Sequence, residues 1–444
     1  MRLKPESGRE LLVHGPATVR VFTGSASSLG KPLASGEALV VRAGRTRIIE
    51  VLEDSELDIV VGQNGKVNEI EESTIPREWT AFVREIIEKR QEKHRIMILG
   101  GLDTGKNTFI TYSSNMLIKE ESKVAVLDAD MGQAEVGPPT TMSVATLNEP
   151  ISELLEYSPD SIYFVGATSP AYLVNRVLQG TEQLMEFVEE NAKEAVLFVN
   201  MPGWIAGSAA VSFVREMISR IGVSHLVALQ REGEVEHILG EVTSKVQITR
   251  LPVSPYAVPR NRDERKFLRE TSYRKYFSHA TEVTAHYSAI DFSPLFASRG
   301  KPATSQVVRK VGDAVKSRVL YCEEAERSIN AVVTDFADAK TEVIGEESQQ
   351  QEAAEAESGS PRPSQKELRV ISLRELGNIV VAVFGKSKVP VSLGILRRLD
   401  FHSRRASIVM TTEISMIDRI EVGKIRVTPQ GYEVGNVEIH RIQT

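Results

Sequence analysis

The stretch "RIMILGGLDTGKNTF", Arg95 to Phe109, constrains the fold more than any other part of this sequence. Its apolar run suits a strand buried on both faces, which belongs in a parallel sheet covered by helices. Gly100, Gly101 and Gly105 then let backbone N–H groups turn inward, and "NTFITYSSNMLIKE" reads as the helix that follows. Strand, glycine loop and helix N-terminus together form an anion cradle, with Lys106 placed to reach the β- and γ-phosphates of a nucleotide. A glycine turn that binds nothing is the weaker alternative in that full context.

One residue departs from the usual loop. The position after the lysine is ordinarily Ser or Thr, whose hydroxyl ligates Mg²⁺, and here it is Asn107. An amide oxygen can also ligate a hard cation, although it is neutral and bulkier, and Thr108 offers a further donor. The expected nucleotide-binding set is Gly100, Gly101, Leu102, Asp103, Thr104, Gly105, Lys106, Asn107 and Thr108. ATP and Mg²⁺ are the cofactors that set implies.

At 444 residues the chain is too long for one ordinary core. The expected division is a β domain over 1–75, a P-loop domain over 76–290, and a mostly β domain over 291–444. The first rests on short alternating pieces such as "ATVRVFTG" and "LDIVVGQNG", closed by turn residues. The second shows "KVAVLDAD", "SIYFVG", "AVLFVN" and "HLVALQ" as buried strands between helical patterns, hence a doubly wound, parallel α/β sheet. Residues 342–364, rich in Glu, Gln, Ala, Ser and Pro, have little to bury and read as a disordered acidic insertion.

With 41% apolar and 26% charged residues, and no apolar run near a membrane-spanning length, the chain reads as globular without a membrane span. Its N-terminus lacks a signal-peptide pattern, so the expected location is the cytoplasm, or the nucleus in a eukaryote. The single cysteine, Cys322, excludes an intrachain disulfide and a cysteine-rich zinc site. A net charge of −6 argues against indiscriminate nucleic-acid binding but leaves room for a local basic groove.

Three further segments carry chemistry. In "VLDADMGQ", Asp128 and Asp130 lie at i and i+2 at a strand end, where a metal and a substrate hydroxyl can both be met. Capping of a following helix is the plainer explanation. In "RNRDERKFLRETSYRK", seven basic residues stand against three acidic ones, and Arg265 and Arg269 share a helix face. Both could reach a transferring phosphoryl group, the alternative being a solvated basic face. Trp204, in "MPGW" just after a strand, could stack on a terminal base or simply pack. Arg397, Arg398, Arg404 and Arg405 offer a surface for RNA or a partner, with a solvated loop equally compatible, and His402 beside them reads as structural.

Taken in order, "GGLDTGKNT", "DADMGQ", "YFVGATSP", "NMPGWIAG" and "RKFLRETSYRKYF" resemble the polynucleotide 5′-hydroxyl kinase family, in its archaeal type. The resemblance covers most of residues 8 to 290. It implies catalytic roles for Lys106, Asp130 as general base, Arg265 and Arg269 in a lid, substrate contacts from Gln133, Gly203, Trp204 and Arg274, and metal contacts from Asn107 and Asp128. The implied reaction moves the γ-phosphate of ATP to the 5′-OH of single-stranded RNA, and of DNA as a further acceptor, with RNA-processing proteins as partners. Met201 replaces the family's Thr in the Pro-Gly-Trp clasp, and Asn107 replaces its Ser or Thr. Those two departures keep a second reading open, an ATP-binding scaffold without catalysis. A GTPase switch is the weakest contender, since no Asn-Lys-x-Asp tetrad follows a strand.

Overall fold

Arg95–Leu99 forms a strand, β1, whose residues from Ile96 onward are wholly shielded from solvent, as a central parallel position requires. This computed structural model describes residues 1–335, 341–343 and 366–442. Apart from the short strand Thr341–Val343, the expected insertion lies outside the described residues.

Around β1 are β2 (Val124–Asp128), β3 (Thr141–Leu147), β4 (Val196–Asn200), β5 (His225–Gln230) and β6 (Gln247–Pro252), in the spatial order β3-β2-β4-β1-β5-β6. All neighbours pair in parallel except β2 with β3. The sheet is therefore mixed, a correction to the parallel expectation. Its physical reason is the connection: no helix lies between Asp128 and Thr141, so the chain folds back instead of crossing over.

The chain forms two compact units. The first comprises Met1–Gly137, Ser143–Ser161 and Thr181–Leu268; the second comprises Pro138–Met142, Ile162–Gly180 and Arg269–Thr444. In the first, α1 (Arg77–Glu88) buries Trp79, Phe82, Val83 and Ile86 at helical spacing, and α2 (Lys106–Lys119) meets it through Phe109. Trp79 and Phe109 pack edge to face at 5.2 Å, and the Trp79 indole N–H donates to the Pro252 carbonyl at 2.8 Å. Residues 1–70 fold as two antiparallel sheets sharing a core of Leu11, Val13, Val19, Val21, Ile49, Leu57 and Ile59.

In the second unit the strand Thr281–Asp291 pairs with both Arg405–Met410 and Met416–Val427, so its sheet closes on itself. A second sheet, containing Val319–Glu324, Ser328–Val333 and Glu367–Ser372, is backed by a helix over Ser305–Val315. The basic "RRLDFHSRR" segment is a strand pair and its turn: Arg397 bonds to Asn378, Arg405 donates to His286 at 3.2 Å, and the His402 amide donates to Asp400 at 2.8 Å.

Candidate active site

At the carboxyl end of β1 the chain enters its loop with no space to spare. A Cβ on Gly100 would lie 2.6 Å from the Leu229 carbonyl oxygen, so only glycine fits there. Gly105, at φ +86°, takes the left-handed conformation that ends the loop and starts α2. The first N–H groups of α2 therefore face the loop without helical acceptors. Lys106 is buried, and its ammonium donates to the carbonyls of Gly100 (3.0 Å) and Gly101 (2.8 Å). Burial lowers its pKa, opposed by the charges of Asp130, Asp103 and Asp128.

The two carboxylates expected to act as a pair hold different stations. Asp128 is fully buried, and both its oxygens are committed. Oδ1 accepts from the Asn200 amide (2.9 Å) and Asp130 N (3.1 Å); Oδ2 accepts from Glu135 N (2.7 Å) and Val136 N (3.1 Å). Burial pushes its pKa up to about 6, against these donors. Asp130 is half-buried; Oδ1 accepts from Gly132 N (3.2 Å) and Gln133 N (3.0 Å), and Oδ2 has no donor among the described residues. Its pKa is raised by burial, with Lys106 acting against that shift.

Asp130, Lys106, Asn107, Thr108 and Gln133 line one cavity of about 470 Å³, within the usual range for small-ligand sites. Leu102, Asp103, Thr104 and Gly105 line it too, as do His14, Arg45 and Lys66 from the β domain and Tyr256 to Arg260 from the segment after β6. Gln133 donates its side-chain amide to Gly132 O at 2.8 Å. Asp128 stands behind this wall and organises the loop that presents Asp130.

The fit of a metal ion turns on Asn107. Its side-chain oxygen is buried and has no hydrogen-bond partner among the described residues, an acceptor left open beside the phosphate cradle. Among the described residues no cluster of three or more His, Cys, Asp or Glu side chains could hold a metal ion alone. That matches Mg²⁺, which takes few protein ligands and leans on phosphates and water. Asn107 fits the group, and Asp128, whose two oxygens already accept four hydrogen bonds, stands beside it.

The clasp and the lid arginines are distributed as follows. A Cβ on Gly203 would fall 2.6 Å from Leu102 Cδ2, so the turn before Trp204 presses directly on the phosphate loop. Trp204 is half-buried, tilted at 34° against Phe213 at 5.6 Å. Met201 is buried and offers nothing to a substrate. In α3 (Arg262–Tyr276), Arg265 pairs with Asp103 at 3.1 Å in the first unit. Arg269, in the second, makes two bonds to Glu433 at 2.7 and 2.9 Å. Arg274 donates to Thr271 at 3.0 Å and lies 5.5 Å from the ring centre of Tyr432. The four-residue spacing was legible; that the two lid arginines take separate partners was not.

Three contributors escaped the sequence reading. Asn200 ends β4 in register with Asp128, a signal available from aligning the two strand ends. Arg45 forms an ion pair with Glu135, the residue whose N–H holds Asp128. Arg260 binds Asp103 through its backbone N–H and its guanidinium. Arg260 opens the basic run already singled out, but nothing there points to Asp103, and nothing local marks Arg45.

Comparison with known proteins gives a family match, curated relatives and a solved fold. Residues 100–279 match the family model described as the mRNA cleavage and polyadenylation factor CLP1 P-loop. A polyribonucleotide 5′-hydroxyl-kinase of Methanocaldococcus jannaschii is 27% identical over 353 residues, 79% of this chain and 91% of that relative. One from Pyrococcus furiosus is 29% identical over 343 residues, 77% and 90% of the two chains. The fold is that of the Clp1p chain solved in a Clp1p–Pcf11p complex, with a TM-score of 0.65 at 14% identity, covering 96% of this chain and 97% of that one.

Proposed function

We propose, from the premise that the chain belongs to the CLP1 P-loop family over residues 100–279, that it is an ATP-dependent polynucleotide 5′-hydroxyl kinase acting on RNA. The observation that carries the reading is one cavity lined by the phosphate loop together with Lys106, Asn107, Asp130 and Gln133, with the Lys106 ammonium held on the loop carbonyls and an Asp130 oxygen without a donor among the described residues. The relatives' names favour catalysis over the scaffold reading.

The acceptor's 5′ oxygen attacks the γ-phosphorus, the bond to the β,γ-bridging oxygen breaks, and ADP leaves. Asp130 accepts a hydrogen bond from the 5′-OH and takes its proton late in transfer. Its raised pKa favours that task. Lys106 gives up its two carbonyl acceptors for the β- and γ-phosphate oxygens, a stronger charge-assisted bond. The loop N–H groups hold the remaining charge in place. Asn107, with Asp128 behind it, would hold Mg²⁺, which would supply neutralisation of the phosphate charge. Arg265 stabilises the transferring group. Arg269 and Arg274 act from the C-terminal part of the helix, Gln133 and Gly203 border the acceptor, and the open face of Trp204 stacks on its terminal base. The reading keeps the division 1–75, 76–290 and 291–444, with protein partners in RNA processing.

Transfer of labelled γ-phosphate to short RNA and DNA strands bearing 5′-OH ends tests it. Wild type labels the ends, whereas Lys106→Ala and Asp130→Asn do not. A wild type that binds ATP and labels neither acceptor overturns it.

A further inference from the structure

An acidic residue at the tip of a loop that must hold a triphosphate needs an explanation. Asp103 is in the left-handed region at φ +55°, uncommon for a residue with a side chain, though Asp tolerates it better than most. Its carboxylate is almost wholly buried at 8% exposure. Oδ2 accepts from Arg260 N at 2.9 Å and from the Arg265 guanidinium at 3.1 Å, while Oδ1 accepts from the Arg260 guanidinium at 3.2 Å. Arg265 also donates to the Arg260 carbonyl, which ties the two arginines to each other. A third guanidinium, that of Arg231, donates to the Asp103 backbone carbonyl at 3.2 Å. Two guanidinium groups thus meet the carboxylate and a third meets the backbone carbonyl of the same residue, so the phosphate loop keeps a positive surplus despite its acid.

The neighbouring acid does not compete for this role. Glu264 is occupied in a reciprocal cap with Asn261, its carboxylate accepting from Asn261 N at 2.7 Å and its own N–H donating back at 2.9 Å. Further along α3, Phe267 and Leu268 rest on the β-domain turn, where a Cβ on Gly44 would meet them at 3.3 to 3.4 Å. The start of the lid has an apolar seat at Gly44 and a polar one at Asp103.

We propose that Asp103 is a positioning residue that docks the lid onto the phosphate loop through Arg260 and holds the Arg265 guanidinium against that loop. The inference rests on the kinase reading and adds to it a residue that acts only through the lid. Asp103 sets how often Arg265 is in place during transfer, not how tightly the nucleotide binds. An Arg265 left to roam would stabilise the transferring group in only a fraction of encounters.

The test compares wild type with Asp103→Asn, Arg260→Gln and the double variant. Expected are a fall of about tenfold in kcat for each single variant, a KM for ATP within about twofold of wild type, and a double variant no worse than the worse single. Asp103→Glu, which restores the charge, recovers part of the rate. Tryptic cleavage between Arg260 and Arg265 is faster in both single variants. If Asp103→Asn disturbs folding, seen as a lowered Tm, Arg260→Gln alone reads the anchor with the loop intact. Unchanged kcat and cleavage in Arg260→Gln, or losses that simply multiply in the double variant, overturn the proposal. A wild type that transfers no phosphate strikes the kinase reading instead, and the cleavage pattern still reports whether Asp103 holds the lid.

Discussion

The phosphate loop and the carboxylate loop lie in the same cavity but are built by opposite means. From Gly100 to Thr108 the backbone itself makes the site, with its tight glycines, its left-handed Gly105 and the start of α2. From Asp128 to Val136 the loop's own N–H groups hold the two carboxylates, but side chains arriving from elsewhere fix the loop: Asn200 across the sheet and, through Glu135, Arg45 from the β domain. A backbone-built site tolerates a changed side chain at one position. A site held by imported side chains fails when a distant one is lost.

The sharpest break of this comparison is within the carboxylate loop. Asp130→Asn keeps the hydrogen bonds from Gly132 and Gln133 but removes the proton acceptor, and kcat falls on the order of 10²- to 10⁴-fold. Steady-state labelling of RNA ends measures it, and a loss confined to KM would move the base elsewhere.

Arg45→Gln comes next. It leaves Glu135 buried at 8% exposure without its cation, and breaking such a pair costs about 3 kcal/mol or more of stability. Because the Glu135 N–H holds Asp128, kcat falls as well, by about tenfold, although Arg45 belongs to the β domain. Denaturant unfolding and the transfer assay read the two effects. A stability loss with an unchanged rate would show the two loops to be uncoupled.

These two cases explain what could be read in advance. The loop, Lys106, the Asp-x-Asp pair and the basic lid are contiguous motifs, and local chemistry suffices to find them. The partners of Asp128, Glu135 and Asp103 lie 72, 90 and 157 residues away, and no local pattern specifies such a meeting. The antiparallel β3 was not picked out at all, because "TMSVATL" interrupts its apolar residues with Thr and Ser and lacks the continuous run by which the other buried strands were found. Asn107 was seen as a departure, yet only the structure shows its oxygen buried and without a hydrogen-bond partner among the described residues.

Asp128 provides a subtler measurement. Its pKa in the native state is about 6, above the ordinary 3.8, so the folded protein holds an extra proton between those values. Ionising the buried group therefore opposes folding by about 3 kcal/mol above pH 6, and that penalty fades as pH falls toward 4. In nucleotide- and metal-free protein, wild type gains stability relative to Asp128→Asn as pH is lowered from 6 to 4. A flat difference between the two unfolding curves would mean that the four donors hold the carboxylate near its ordinary pKa.

The smallest effect is expected at the residue that looked most anomalous. Asn107→Ser restores the usual hydroxyl in a site whose geometry is set by backbone, so transfer changes only within about threefold. What shifts is the Mg²⁺ concentration needed for half-maximal rate, because a shorter side chain with a hydroxyl replaces a buried, unpartnered amide oxygen. A titration of Mg²⁺ at saturating ATP separates the two. Should Asn107→Ser instead raise kcat a hundredfold, the loop would no longer be the tolerant half of the comparison, and the native chain would be a kinase restrained at its metal ligand.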